Sequence, residues 1–324
     1  MSAANSAVCE VADFLKGLEK AAVTTHTGAD GDAIGSAVAL VHLVRSTGAR
    51  AIFCYSEELP HYLRWLVWEE PLEECPPDHD LLVVDASRPD RIGVARDEEA
   101  HPVRLNLDHH EDNPLYGELN LVDSAAAASA QIVASLYKET GAPLSKEAAE
   151  AIYAGIYADT GGFRFRNVSP EAYELAADLL RAGVVPAEID DRLNRTATVQ
   201  QLNIVGVSLA NAERCGEALI SVIDQGDYER TGATELDSKE SIDRLRAVAG
   251  VEVVAHLREV NGGTKASLRS ERVDVGSIAR SLGGGGHKLA AGYTTPKKPV
   301  DAKEGLLAAL EGVVDLGGRE PGGV

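Results

Sequence analysis

Apolar residues occur along this chain in short blocks separated by polar turns. Ala21 to Thr25, Ala49 to Cys54, Leu81 to Val84 and Val103 to Leu107 have strand length and read as buried strands. Ala33 to Val44, His61 to Trp68 and Ala126 to Tyr137 carry helical spacing between and after them, and Ser145 to Tyr157 adds a helix that Asp159-Thr160-Gly161-Gly162 breaks. Strands alternating with helices predict an α/β fold with a parallel sheet covered on both faces. Ser169 and Glu171 open a further helix through Leu180, and from Pro186 one long helix to about Ala212 reads as a connector. Beyond Gly216 the pattern resets. Ala218 to Ile223, Val251 to Leu257 and Lys265 to Leu268 read as strands, with Ser238 to Val248 and Val273 to Leu282 as helices. The expected division is a larger domain over 1–186, a helical linker over 187–214, a smaller α/β domain over 215–316 and a flexible Gly-rich tail over 317–324.

Composition narrows the class. A chain of 324 residues suits two cores rather than one. Cys9, Cys54, Cys75 and Cys215 have no metal-ligand spacing and give neither a zinc site nor a disulfide framework, so a reducing compartment is expected. Met1 to Val23 has acids scattered through it, and no stretch is long and apolar enough to span a bilayer, so a cytoplasmic protein without a membrane partner is expected. The net charge of −20 repels polyphosphates and argues against long duplex DNA as a ligand. With only four Phe and two Trp, a processive nuclease on long single strands is disfavoured as well. A short or small anionic substrate fits if a metal centre and a few arginines reverse the local sign. Trp65 and Trp68, three apart on a predicted helix, read either as a partner surface or as buried core, core being the commoner explanation.

The candidate chemistry sits at the ends of the apolar blocks. His26, Asp30 and Asp32 follow the first, Asp85 follows the block at Leu81 to Val84, Asp108-His109-His110 closes the block at Val103 to Leu107, and Asp159 follows the helical block. Ends of neighbouring strands converge on one crevice in an open α/β sheet. Carboxylates and imidazoles without thiolates suit Mn²⁺ best, with Mg²⁺ or Co²⁺ as alternatives. His26, Asp30, Asp32, Asp85, His109 and Asp159 exceed the needs of one open catalytic ion and predict two, bridged by one carboxylate. A metal-activated hydroxide would then attack phosphorus in line, with His110, Arg164 and Arg166 as cationic donors. Taken singly, each Asp is an ordinary turn or capping residue, and Asp32 before Ala33 is placed to cap its helix.

These residues resemble the DHH phosphoesterases, and within them the bacterial oligoribonuclease and 3′-phosphoadenosine-5′-phosphate (pAp) phosphatase group. The resemblance covers nearly the whole chain: His26 to Ser36, Val84-Asp85, Asn106 to His110, Asp123 to Ile132, Tyr157 to Phe165, Arg269-Ser270, Val273 to Val275 and the GGGGHKLAAG run. It implies that His26 and Asp30 hold one ion, that Asp32, His109 and Asp159 hold the other, and that Asp85 bridges them. Asp108 would orient an imidazole, and His110 would act on the phosphate or leaving oxygen. The second domain would be the DHH-associated domain, in which Arg269, Ser270, Gly285, Gly286 and His287 contact phosphate and nucleotide. The glycine run also has a physical rationale, since consecutive glycines let backbone amides turn toward an anion. Many family members have Pro before the first Asp of the opening motif, where this chain has Gly28-Ala29. The implied function is Mn²⁺-dependent hydrolysis of very short RNA, pAp, or cyclic di-AMP and its linear product pApA, by a homodimer. A manganese inorganic pyrophosphatase and a non-catalytic nucleotide sensor are the competing readings.

Overall fold

The computed structural model of the chain describes residues 5–95 and 101–317. Most of the expected tail lies outside the described residues. The chain divides into two compact units between Thr196 and Ala197.

The first unit runs α1 (Val8–Lys16), β1 (Lys20–Thr24), α2 (Gly31–Ser46), β2 (Arg50–Phe53), a 3₁₀ turn (His61–Leu66), β3 (Asp80–Val84), β4 (Val103–Asp108), β5 (Leu119–Val122), α3 (Ser129–Thr140), α4 (Lys146–Asp159), α5 (Pro170–Arg181) and α6 (Pro186–Asn194). Its sheet is parallel throughout, in the order β2-β1-β3-β4-β5. Alternation along the strands divides the core. Ala21, Val23, Leu82, Val84, Leu105 and Leu107 face the helical side, whereas Ala22, Leu81, Val83 and Val103 pack with Cys54, Ile92 and Val94 from largely irregular segments. Both faces are therefore buried, as a parallel sheet requires. The strand order reverses direction at β1 and β3, and such a switch point opens a crevice beyond the carboxyl ends of those two strands. His26 and Asp85 lie just past them.

Small residues bring α2 and α4 close together. A Cβ on Gly35 would collide with the Ala151 carbonyl, and one on Gly155 would lie 2.7 Å from Ala130 Cβ and 2.8 Å from Asp32 Oδ1. Strand β5 and helix α1 were not anticipated from the pattern.

The second unit contains α7 (Val199–Ala210), β6 (Glu213–Cys215), β7 (Ala218–Ile223), α8 (Gln225–Thr231), α9 (Ser241–Leu245), β8 (Val253–Val260), β9 (Gly263–Ser270), α10 (Val275–Ser281), β10 (Gly285–Gly286), β11 (Ala290–Thr295) and α11 (Pro299–Leu310). Its sheet order is β10-β11-β9-β8-β7-β6, with only β7 and β8 parallel. The single long helix expected from Pro186 is instead two. Arg195 leaves the helical region at ψ 47°, and the Thr198 side chain accepts from Gln201 N to start α7. Among the described residues no helix is long and apolar enough to cross a membrane.

Candidate metal centre

Local structure places each acid. After β1 the chain turns through Thr27 to Ala29, and Asp30, not Asp32, is the N-cap of α2: its Oδ1 accepts from Asp32 N at 3.0 Å and Ala33 N at 3.1 Å. The expected cap is thus corrected by two residues, because Asp32 lies in the first turn and points inward. Asp32 is fully buried and crosses to another element. Its Oδ2 accepts from Ser129 N at 2.6 Å and its Oδ1 from Ala130 N at 3.0 Å, which satisfies the first amides of α3, a helix with no side-chain cap of its own. Ser36 Oγ donates to the same carboxylate at 2.8 Å.

Asp85 follows β3 at φ 58°, a left-handed conformation that Asp tolerates better than most residues and that clusters at functional sites. It is almost wholly buried and accepts from Ser129 Oγ at 2.8 Å. Its oxygens face opposite ways: Oδ2 lies 3.7 Å from His26 Nε2 and Oδ1 lies 3.7 Å from His109 Nε2. His109 Nε2 is also 3.2 Å from Asp159 Oδ2, at the last residue of α4. The other ring nitrogen of His109, Nδ1, is 3.4 Å from the Ala126 carbonyl, so the ring is oriented with Nε2 toward the carboxylates.

Asp108 is fully buried at the end of β4 and serves His110. Its Oδ1 accepts from His110 Nδ1 at 2.7 Å and its Oδ2 from Asn113 Nδ2 at 2.6 Å. This bond raises the His110 pKa above the ordinary histidine value, and the ring stays partly exposed.

Ligand atoms therefore gather in overlapping sets. His26, Asp30 and Asp85 form one, Asp32, His109 and Asp159 a second, and Asp85, His109 and His110 a third, with the atoms of each set within 4.8 Å of one another. Burial is the main reason that the carboxyls of Asp32, Asp85 and Asp159 are shifted upward, Asp159 to about 7, and the neighbouring carboxylates add to it. Among the described residues, only histidines pair with Asp85 and Asp159 in ion-pair range. A set of buried hard donors short of positive charge fits divalent cations.

Beside the acids, Tyr62, Tyr157, Arg164, Leu193 and Asn194 line a cavity of about 230 Å³ that reaches Asp30 and Asp159. Three successive residues with positive φ, Gly161, Gly162 and Phe163, turn the chain after Asp159 toward Arg164. Arg166 is exposed on the same segment.

Comparison with known proteins agrees with this architecture. Residues 20–156 match the DHH family, N-terminal domain, and residues 216–315 match the DHHA1 domain. The chain is 37% identical over 314 residues to the bifunctional oligoribonuclease and PAP phosphatase NrnA of Thermus thermophilus, with 94% of this chain and 92% of the relative aligned. The chain belongs to the DHH phosphoesterase family. The NrnA of Bacillus subtilis is 28% identical to this DHH protein, over 88% of this chain and 92% of its own. An exopolyphosphatase-related protein from Bacteroides fragilis shares its fold with a TM-score of 0.84 at 23% identity, covering 94% of this chain and 95% of its own.

In the DHHA1 unit of this DHH protein, the glycine run is part of the sheet. Gly285 and Gly286 pair with Gly292 and Ala291, and His287 N donates to Ala290 O at 2.8 Å, closing a tight hairpin. Gly286 adopts φ 135° and has no room for a Cβ beside Ala291, whereas a Cβ on Gly285 would meet nothing. Ser270 Oγ is committed to the fold: it donates to Glu252 at 2.8 Å and accepts from Val273 N at 2.9 Å. Arg269 lies on β9 opposite Ala290, so it shares this sheet end with the hairpin.

Ser129, Ser36 and Asn113 were missed from sequence. The only signal for Ser129 was its place inside the Asp123 to Ile132 segment, and a serine at a helix start is too common to single out.

Proposed function

We propose that this chain is a two-metal phosphoesterase of short nucleotides, with Mn²⁺ as its working ion. The observation that carries this reading is Asp85, whose Oδ2 faces His26 and whose Oδ1 faces His109, the histidine that also gathers with Asp32 and Asp159. His26 and Asp30 with Asp85 would hold one ion, and Asp32, His109 and Asp159 with Asp85 the other. Bound there, such a pair supplies Lewis acidity and a nucleophilic water at neutral pH. The chain's own groups do the rest. Asp108 fixes His110 with its Nδ1–H inward, so that a protonated Nε2 donates to a phosphoryl oxygen or to the leaving oxygen. Arg164, at the cavity beside Asp30 and Asp159, meets negative charge on the substrate. Arg269, Gly285, Gly286 and His287 form the phosphate and nucleotide contacts of the second unit, with Ser270 holding the turn after β9.

The names of the NrnA relatives support short RNA and pAp as substrates, and the acidic surface supports small ligands over long ones. Cyclic di-AMP and pApA belong to the same chemical class. Metal-stripped protein restored with Mn²⁺ should turn over at least one of these, and kcat/KM measured side by side assigns the class where one leads by more than ~1.4 kcal/mol, about tenfold. Full turnover by Asp85→Ala, or no turnover with metal demonstrably bound, would refute the reading.

A further inference from the structure

The segment from His26 to Asp30 carries two of the proposed ligands and has no regular structure of its own, so something outside it must hold it in place. One side is held by backbone. Thr27 N donates to Arg91 O at 2.7 Å, Gly93 N donates to Thr25 O at 2.7 Å, and His26 bridges to Ile92. Gly93 is needed there because a Cβ would sit 2.9 Å from the Tyr55 ring and 3.0 Å from Thr25 O.

On the other side, among the described residues, side chains hold it. Gly28 N donates to Glu57 Oε2 at 2.6 Å, Ala29 N donates to Tyr55 Oη at 2.9 Å, and Tyr55 Oη donates to the same Glu57 oxygen at 2.9 Å. Glu57 thus holds one loop amide directly and, through the Tyr55 hydroxyl, the next. Gly28 adopts φ 66° with open space around it, so the loop's own packing does not fix its path at this point. The clamp is itself anchored: Tyr55 is buried and stacks on Phe53, and Ser56 binds the Gly93 carbonyl through both N and Oγ.

We infer that Tyr55 and Glu57 are positioning residues for metal binding, a hydrogen-bonded clamp that sets the spacing between His26 and Asp30. Neither side chain is among the gathered ligand sets. They act through the backbone of the loop. With the clamp intact, the ligand loop is pre-organised and the ion meets His26 and Asp30 at their bound separation. Without it, binding must order the loop, and the lost freedom appears as weaker affinity. This inference rests on the metal-centre reading above.

The test is Mn²⁺ titration of metal-stripped protein, followed by calorimetry and by the electron paramagnetic resonance of free Mn²⁺, in Tyr55→Phe, Glu57→Ala and Glu57→Gln. Tyr137→Phe is the control for loss of a buried tyrosine hydroxyl, because Tyr137 Oη donates to Ala39 O at 2.9 Å within the helical core. Tyr55→Phe and Glu57→Ala should weaken one Mn²⁺ site by about tenfold, roughly the loss of one or two net hydrogen bonds. Glu57→Gln, which keeps an acceptor oxygen, should recover part of that affinity, and Tyr137→Phe should bind Mn²⁺ within twofold of wild type. The turnover of Tyr55→Phe should return toward the wild-type kcat at saturating Mn²⁺. Unchanged Mn²⁺ affinity in Tyr55→Phe and Glu57→Ala, with wild type binding normally, would overturn the clamp alone. A wild-type protein that takes up no divalent ion would overturn the metal centre and the clamp with it.

Discussion

Two glycine-to-alanine substitutions in helix interiors should have opposite consequences. In an unconstrained helix Ala is favoured over Gly by ~1 kcal/mol. Gly206 in α7 has nothing within 4 Å of the position its Cβ would take, so Gly206→Ala should stabilise the protein by ~0.5–1 kcal/mol. Gly155 in α4 is a different case. Its Cβ would fall 2.7 Å from Ala130 Cβ, 2.8 Å from Asp32 Oδ1 and 3.4 Å from Asp32 Cα. None of these can yield cheaply, since Asp32 is held by two amides of α3 and by Ser36. Overpacking of this kind costs ~1–3 kcal/mol, which outweighs the propensity gain and leaves a net loss of up to ~2 kcal/mol. The functional loss should exceed the stability loss, because the displaced group is one of the proposed ligands. Thermal or urea unfolding of both variants, with Mn²⁺ titration alongside, reads all of this. Stabilisation of Gly155→Ala equal to that of Gly206→Ala, with unaltered Mn²⁺ affinity, would refute the close-packing argument for Asp32.

Removal of metal should make stability depend on pH in a defined direction. Burial pushes the Asp159 carboxyl up to about 7 from the ordinary Asp value of 3.8, so the metal-free folded state holds its proton longer than the unfolded chain does. The carboxyl's contribution to stability is therefore fully present at low pH and is lost as pH rises from about 4 to about 7, by at most ~4 kcal/mol before solvent screening; the difference in melting between chelated and Mn²⁺-loaded protein at several pH values isolates this contribution from groups remote from the centre. His256 in the second unit gives the opposite sign. Burial, with Arg258 adding to it, lowers its pKa to about 3 from 6.5, so stability present above pH 6.5 falls as the solution is acidified toward pH 3, by ~1.4 kcal/mol per unit, and His256→Asn should flatten that limb of an acid titration. His110→Ala should reduce kcat by ~10²–10⁴ while leaving Mn²⁺ affinity within a few fold, as measured by steady-state kinetics and metal titration; a large loss of metal would make His110 a ligand rather than a proton donor.

The acids and histidines of the candidate centre could be read from order along the chain. His26, Asp30, Asp32, Asp85, Asp108, His109 and His110 each follow a strand-length apolar block, and the ends of neighbouring parallel strands meet by geometry alone. The parallel sheet was legible for the same reason, since its strands are buried on both faces and stand out as apolar runs. The second unit was less so. Its two-residue strand β10 is Gly-Gly and the start of β11 is Ala-Ala-Gly, residues without β propensity, and they pair because Gly286 permits a backbone approach that no periodicity records.

Only the tertiary structure decided which common residues support the centre. Ser129 meets Asp32 and Asp85 from 97 and 44 positions away, and Tyr55 and Glu57, past the end of β2, reach the loop that follows β1. Serine, tyrosine and glutamate are frequent, and their roles reside in long-range distances. Sequence order therefore determined the kind of chemistry and its place on the sheet, whereas the fold determined which oxygen faces which histidine and what holds each one still.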